Sequence, residues 1–240
     1  MVFRADPELA KTMKSYNFSV LSLANNHTMN FGGSGMLDTL EALRLAGISA
    51  AGAGANQEEA LSPVYLEAKG LRFAFLAYND IDVVPPSYEA GDDSPGTAFM
   101  NINNLEEGIS LAKQQADFVI VSMHSGREYE SQHSQRQEEF ARAAIDYGAE
   151  LVLGHHPHVI QDYEMYKGKY IFYSLGNFIF DQMWSQDTKE GLGVMFQFND
   201  RGVVDFELQP FLIQDYSQPR PLSGEAASLV ISQIDKTEEK

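Results

Sequence analysis

Five histidines lie just beyond the ends of three predicted strands: His27, His124, His155, His156 and His158. The carboxyl ends of parallel strands meet at one edge of a sheet, so we expect these side chains to converge. Neutral imidazole is the commonest metal ligand in proteins, and a loop His-x-His pair can direct two rings into one site. The sequence therefore predicts a metal site built from strand-end histidines.

The absence of cysteine from the chain limits the chemistry of that site. It excludes disulfides, thiolate zinc sites and cysteine nucleophiles. The metal would be held by nitrogen and oxygen ligands, which is typical of Mn, Zn or Fe.

Four polar residues near the histidines have two interpretations each. Asn26 either tolerates a left-handed turn or supplies a carboxamide ligand beside His27. Asn177 either belongs to a tight turn after a strand or points at the site. Glu128 and Asp181 either orient metal ligands from behind or face water, as isolated carboxylates usually do.

The elements that must position these residues alternate between strand and helix through the first two thirds of the chain. This alternation predicts a largely parallel sheet with helical crossovers. The predicted strands are Phe18–Leu23, Ile48–Ala53, Val64–Glu67, Leu71–Ala77, Phe118–Met123 and Leu151–Leu153, and the helices lie near Met36–Ala46, Leu105–Gln115 and Gln135–Tyr147. His133 precedes the last of these helices, and we expect it to be solvated.

The segments that follow Gly154 have a different character. Two hairpin patterns, within residues 163–174 and 194–208, predict an antiparallel C-terminal third. Together the two parts predict two packed sheets with helices outside. The Pro- and Gly-rich segment Val83–Gly96 predicts a long loop, either a surface insertion or a lid.

Charge and length exclude several classes of protein. The 240 residues carry 17 Lys and Arg against 34 Asp and Glu, a net charge of −17. This disfavours a nucleic-acid binder or a protein that binds anionic membrane surfaces, because both need basic patches. No stretch approaches the ~20 apolar residues of a transmembrane helix, so we expect no membrane span in this chain.

Five motifs in this order resemble the CapA family of poly-γ-glutamate capsule-synthesis proteins. They are SLANNHTMNFG (Ser22–Gly32), GISAAGAGANQEEA (Gly47–Ala60), MHSGREY (Met123–Tyr129), GHHPHVIQ (Gly154–Gln161) and YSLGNFIFD (Tyr173–Asp181). That family is similar to calcineurin-like metallophosphoesterases. The resemblance implies an α/β fold, a four-layer, two-sheet sandwich flanked by helices with mixed parallel and antiparallel strands.

The resemblance also implies roles for individual residues. Asn26 would be a metal ligand and His27 a catalytic acid, while His124, His156 and His158 would bind metal ions. His155 is a rival to His156, because this chain has an extra residue in the Gly-His-x-His element. The implied chemistry is attack of metal-activated water on phosphorus, with His27 assisting the leaving group.

One departure from the superfamily concerns the carboxylates that should precede Asn26. Only one aspartate, Asp6, lies upstream of it, whereas the superfamily uses two. We therefore expect residues 1–217 to form a single domain that lacks the N-terminal metal-binding strand, followed by a C-terminal tail or helix at 218–240.

The function expected from this resemblance is that of a metal-dependent phosphoesterase-like protein in capsule biosynthesis, with the capsule-polymer synthesis machinery as partner. Two alternatives remain: a non-catalytic assembly or transport factor for an anionic polymer, and a catalytically impaired chain. Family members are often membrane-associated or extracytoplasmic, and the sequence does not fix a location for this one.

Overall fold

The structure, a computed structural model, describes residues 2–234. The chain forms two compact units, one ending at His124 and the other beginning at Ser125. Within residues 2–234 no helix is both long and apolar enough to cross a membrane.

The first unit alternates short helices and strands. Its helices are α1 (Leu9–Ser15), α2 (Gly32–Ala46), α3 (Gln57–Leu61) and α4 (Ile102–Ala112), with a 3₁₀ turn at Pro86–Tyr88. Its strands are β1 (Val20–Ser22), β2 (Ser49–Ala51), β3 (Ala53–Gly54), β4 (Val64–Ala68), β5 (Leu71–Asn79), β6 (Gly96–Thr97) and β7 (Phe118–His124). β1 pairs with β2 and β5 with β7, both in parallel, whereas β4–β5 and β3–β6 are antiparallel.

The second unit contains three helices and six strands in its described part. The helices are α5 (Gln135–Tyr147), α6 (Gln186–Lys189) and α7 (Gly224–Ile234). The strands are β8 (Leu151–His155), β9 (Tyr163–Tyr166), β10 (Lys169–Phe172), β11 (Glu190–Asn199), β12 (Gly202–Gln214) and β13 (Gln218–Pro221). β10 lies between β8, its parallel neighbour, and β9, its antiparallel one, and β11, β12 and β13 form an antiparallel meander.

Helix α5 illustrates how the sequence sets the ends of an element. Its N-cap Ser134 accepts from the backbone N–H of Gln137, and the Gln137 side chain accepts from the Ser134 N–H in return. At the other end Gly148, with φ +112°, adopts the left-handed conformation that closes a helix at little cost. The chain then enters β8 three residues later.

A row of backbone hydrogen bonds joins the carboxyl ends of the strands in the first unit. The N–H of Leu23 donates to Ala51 O, that of Ala98 to Gly52 O, that of Asn79 to Ala98 O, that of Met100 to Asn79 O, and that of Asp80 to His124 O, at 2.8–3.0 Å. Gly52 is required there, because a Cβ at this residue would lie 2.7 Å from both Ala24 Cβ and Ala77 O. The row fixes the backbone around the ends of β5 and β7.

The predicted α/β class with mixed strand directions is confirmed, and most elements lie where the sequence indicated. Helix α5 has the predicted bounds, and both predicted hairpins form, the second with longer strands. Part of the predicted C-terminal tail is strand β13 and helix α7. The remainder of that tail, residues 235–240, lies outside the described residues.

The loop at Val83–Gly96 and the loop residue His133 both pack against other parts of their own unit. The segment Val83–Gly96 folds back on its own unit, where Gly91 O accepts from Gln57 N and Ala90 is buried. The expectation that His133 is solvated is wrong. Its ring stacks on Tyr173 with centroids 3.8 Å apart, and its Nδ1 lies 2.9 Å from Asp162 Oδ1.

Candidate metal centre

Asn26 and His124 meet in the first unit, although 98 residues separate them. Asn26 lies in the loop after β1, and His124 is the last residue of β7. The Oδ1 of Asn26 is 3.1 Å from the Nε2 of His124. Two ligands of one ion, each about 2.1 Å from it, stand about 3.0–3.4 Å apart. This contact is a hydrogen bond from His124 Nε2 to Asn26 Oδ1. The same spacing suits two adjacent ligands of one ion, which Nε2 would bind after releasing its proton.

His27 is oriented by its own loop. Its backbone N–H donates to Asn25 Oδ1, and its Nδ1 lies 3.1 Å from Asn30 Oδ1. The Phe3 ring meets the imidazole edge-on at 4.4 Å. Because a carboxamide oxygen only accepts, the His27 ring donates through Nδ1 in this contact.

The second unit holds the remaining histidines at the end of β8. His156 and His158 both have left-handed backbones, with φ +106° and +62°, on either side of Pro157. Such conformations are costly outside glycine and concentrate at functional sites. The centroids of the two rings lie 6.1 Å apart. Burial lowers the pKa of His155 to about 4, so its ring is neutral at physiological pH.

Asn177 fixes the ring of His158. Its Oδ1 accepts from His158 Nδ1 at 2.8 Å, which leaves the Nε2 lone pair for a ligand. Its Nδ2 faces only acceptors, namely the backbone oxygens of His158 and Thr188 and the Oε1 of Gln182. These contacts determine which way the carboxamide points. Asn177 thus contacts a predicted site residue, and the interpretation that it points at the site stays a prediction.

The two carboxylates considered near the site, Glu128 and Asp181, are exposed. Tyr129 stands beside the first of them, and its ring is roughly parallel to that of His158, with centroids 6.1 Å apart. Burial and the Glu128 carboxylate raise the pKa of Tyr129, so its phenol stays protonated at neutral pH. A role for either carboxylate in orienting ligands stays a prediction.

Two residues of this region were missed by sequence reasoning. Asn79 and Asp80 directly follow the apolar part of β5 and are 0% and 1% exposed. Asn79 is the register partner of His124 on the neighbouring strand. The same strand-end rule that indicated the histidines would have indicated both, because they lie two and three residues beyond the predicted strand Leu71–Ala77. Both were missed because only histidines were considered at the strand ends.

The donor chemistry of these residues suits a divalent ion, because it consists of imidazole nitrogens and carboxamide oxygens without thiols. In the part of the chain that the structure describes, no group of three or more His, Cys, Asp or Glu residues is placed to hold a metal ion. Such groups do not include asparagines such as Asn26 and Asn177, although carboxamide oxygen is an ordinary ligand for hard cations.

The fold resembles that of solved phosphoesterases. The chain is similar to the crystal structure of the calcineurin-like phosphoesterase YfkN from Bacillus subtilis, with a TM-score of 0.55 at 13% identity. The match covers 96% of this chain and 73% of that one. At this identity the likeness concerns the fold alone, which is that of the metallophosphoesterases.

The family follows from the sequence. Residues 1–182 match the family described as bacterial capsule synthesis protein PGA_cap, and the chain belongs to it. It is 40% identical to the capsule biosynthesis protein CapA of Bacillus anthracis over 224 residues, which are 92% of this chain and 54% of that protein. It is 36% identical to the PGA biosynthesis protein CapA of Bacillus subtilis, over 93% of this chain and 58% of that protein. The chain thus spans about half the length of the curated relatives it matches.

Proposed function

We propose that this protein is a metal-dependent phosphoesterase-like protein of poly-γ-glutamate capsule biosynthesis. The approach of Asn26 Oδ1 to His124 Nε2, at 3.1 Å, carries the proposal. Two residues distant in sequence present ligand atoms to one point at the carboxyl end of a parallel strand, where open α/β sheets bind their ligands. Family membership and the phosphoesterase fold support it.

The proposed metal ligands are Asn26 and His124 in the first unit and His156 and His158 in the second. When bound, a divalent ion such as Mn, Zn or Fe supplies Lewis-acid polarisation of a phosphoryl oxygen. His27 donates a proton to the leaving oxygen, and Asn30 holds its ring for that step. A single domain over 1–217 with a four-layer sandwich, and an association with the capsule-polymer synthesis machinery, belong to the same proposal.

Metal content tests the proposal directly. Purified protein should carry about one or more divalent ions per chain, and the His124→Ala/His156→Ala double variant should lose them. The wild-type protein should then hydrolyse p-nitrophenyl phosphate or its diester in a metal-dependent way. His27→Ala should remove turnover and keep the metal. The proposal fails if the protein binds no metal after reconstitution with Zn or Mn, or if the double variant retains the wild-type content.

A second candidate function is a non-catalytic assembly or transport factor for an anionic capsule polymer. It is favoured by the names of the relatives, which refer to biosynthesis rather than hydrolysis. The chain has a net charge of −17, so a polyanion would be repelled at long range unless divalent ions bridged the two. Metal-dependent and salt-sensitive binding of poly-γ-glutamate, without turnover of any phosphoester, would support this function in place of the first.

A further inference from the structure

Asn79 is a fully buried carboxamide that finds no hydrogen-bond partner among residues 2–234. The residue is 0% exposed, and within that described range neither Oδ1 nor Nδ2 has a donor or acceptor to bond with. Leaving such a group unpaired away from water is strongly unfavourable, and native proteins seldom do so. A group of this kind at the end of a parallel strand therefore indicates a ligand.

The position of Asn79 beside His124 indicates that the ligand is the metal ion of the proposed site. Asn79 and His124 are register partners in the parallel pair β5–β7, so their side chains lie on the same face of the sheet. Ser122 precedes His124 by two residues on that face, and its buried hydroxyl also has no partner in the described part of the chain. Three polar side chains thus share one face at the end of two strands.

The same face is turned toward the loop that carries Asn26. Ala77, two residues before Asn79, packs against Ala24 and Ala51 in a cluster of small buried side chains. Ala24 lies two residues before Asn26, whose Oδ1 contacts the His124 ring. Asn79 therefore belongs to the surroundings of the Asn26–His124 pair and not to a separate part of the core.

The backbone of Asn79 cannot shift to find another partner. Its N–H donates to Ala98 O at 2.8 Å, and its carbonyl accepts from Met100 N at 2.8 Å. On the other side, Asp80 N donates to His124 O at 3.0 Å. Because the main chain is held on both sides, the Asn79 backbone keeps its register position beside His124.

We propose that Asn79 is a further oxygen donor to the divalent ion held by Asn26 and His124. The inference rests on the proposed function, since it adds a residue to the same metal site. Carboxamide oxygen is a hard donor that suits Mn²⁺ and similar ions. In the metal-free protein the carboxamide is then a source of instability that metal binding relieves.

Two substitutions at this position separate a ligand from a packing residue. Asn79→Leu is nearly isosteric and removes the unpaired polar group, so the metal-free protein should melt at the same temperature or higher. Its affinity for Mn²⁺ or Zn²⁺, measured by titration calorimetry, should fall at least tenfold. Asn79→Asp restores an oxygen donor, so it should melt lower without metal, keep wild-type affinity or better, and show a larger metal-dependent rise in Tm.

Tyr65→Phe is the matched control. The Tyr65 hydroxyl is another buried polar atom without a partner in the same unit, but it lies on β4, away from His124. Its removal should leave the metal affinity unchanged. If Asn79→Leu keeps the metal affinity within twofold of wild type, or melts lower without metal, the inference is overturned while the proposed metal site stands. A wild-type protein that binds no metal overturns both.

Discussion

At the scale of single residues, Asn177 decides how His158 can act. A histidine in a loop has two nitrogens and a freely turning ring, and a hydrogen bond to one nitrogen selects the other as ligand. Asn177 is only 6% exposed, and its amide group is surrounded by acceptors that hold it in one orientation. Its Oδ1 therefore accepts a hydrogen bond from Nδ1 of His158, and Nε2 is the nitrogen that would bind the ion in the proposed site.

Loss of the Asn177 carboxamide should accordingly weaken metal binding. We expect Asn177→Ala to lower the affinity for Mn²⁺ or Zn²⁺ about tenfold, because the ring of His158 then reorients freely. Asn177→Asp keeps an acceptor for Nδ1 of His158, so its metal affinity should fall less than that of Asn177→Ala. Titration calorimetry on the folded variants measures both. Equal affinities in wild type and Asn177→Ala would show that His158 needs no such support, or is no ligand.

The residues that sequence alone could identify are those whose type is unusual at their position. Strand-end histidines stand out, so the sequence predicts His27, His124, His156 and His158 as site residues, together with Asn26 beside His27. Their roles stay predictions. The orientation of a histidine ring cannot be predicted in this way. It depends on contacts between residues far apart in sequence, such as the one between His158 and Asn177. Asn79 was missed because the strand-end rule was applied to histidines and not to a carboxamide in the same kind of position.

At the scale of elements, the turn between β11 and β12 is held by Glu150, the residue directly before β8. This carboxylate is buried, forms an ion pair with Lys169, and accepts from Val203 N at 2.9 Å. Gly202, with φ +129°, lies directly against it, and a Cβ there would overlap the carboxylate oxygens. The turn thus depends on a residue without a side chain.

Gly202→Ala should therefore destabilise the protein by about 2 kcal/mol, through both backbone strain and steric overlap. Gly168→Ala is the control, since that turn also has a positive φ, +76°, but open space around the Cβ. It should cost about 1 kcal/mol, from strain alone. Urea unfolding of the two variants compares them, and equal losses would show that Glu150 does not constrain the turn.

A second element-scale feature is the charged cluster between α5 and β9. Arg142 bonds Glu164 through two nitrogens, and Tyr173 donates to Glu164 at 2.7 Å. Burial opposes ionisation of Glu164, but the hydrogen bonds from Arg142 and Tyr173 outweigh it and lower its pKa. For His133, burial disfavours the charged ring, yet Asp162 and the nearby carboxylates together raise its pKa above the ordinary value.

The raised pKa of His133 gives a pH dependence of known sign. A protonated His133 stabilises the fold, so its contribution is fully present below about pH 6.5 and is lost as the pH rises through the folded-state pKa. The difference in Tm between wild type and His133→Asn should shrink between pH 6 and 8. Asp162→Asn should remove most of this dependence. A difference that stays constant over that range would contradict the assignment.

At the scale of the whole molecule, net charge is the dominant property. With a charge of −17 on 240 residues, like charges repel one another throughout the folded chain. Added salt screens this repulsion over about 10 Å at 0.1 M. We expect Tm at pH 7.5 to rise as NaCl increases from 10 to about 300 mM. Near the sequence pI of about 4.6 the rise should disappear; if it persists there, ion binding rather than screening is responsible.

The fold class was accessible from sequence at this scale because periodicity reports local elements and their alternation reports parallel pairing. The pairs β1–β2 and β5–β7 follow from that rule. The segment at residues 98–100 could not be foreseen, since three residues in a loop carry no periodic signal. Its place between Gly52 and Asn79 is set by backbone hydrogen bonds, which the pattern of side chains in a sequence does not reveal.

That row of backbone bonds has a consequence for hydrogen exchange. The amide protons of Leu23, Asp80, Ala98, Met100 and Asn79 each depend on a carbonyl from another part of the chain. None can open without loosening its neighbour, so these five amides should exchange with deuterium at one common slow rate, as a single cooperative group. The rim of the proposed site would then be among the last parts of the first unit to open, although it consists mostly of loops.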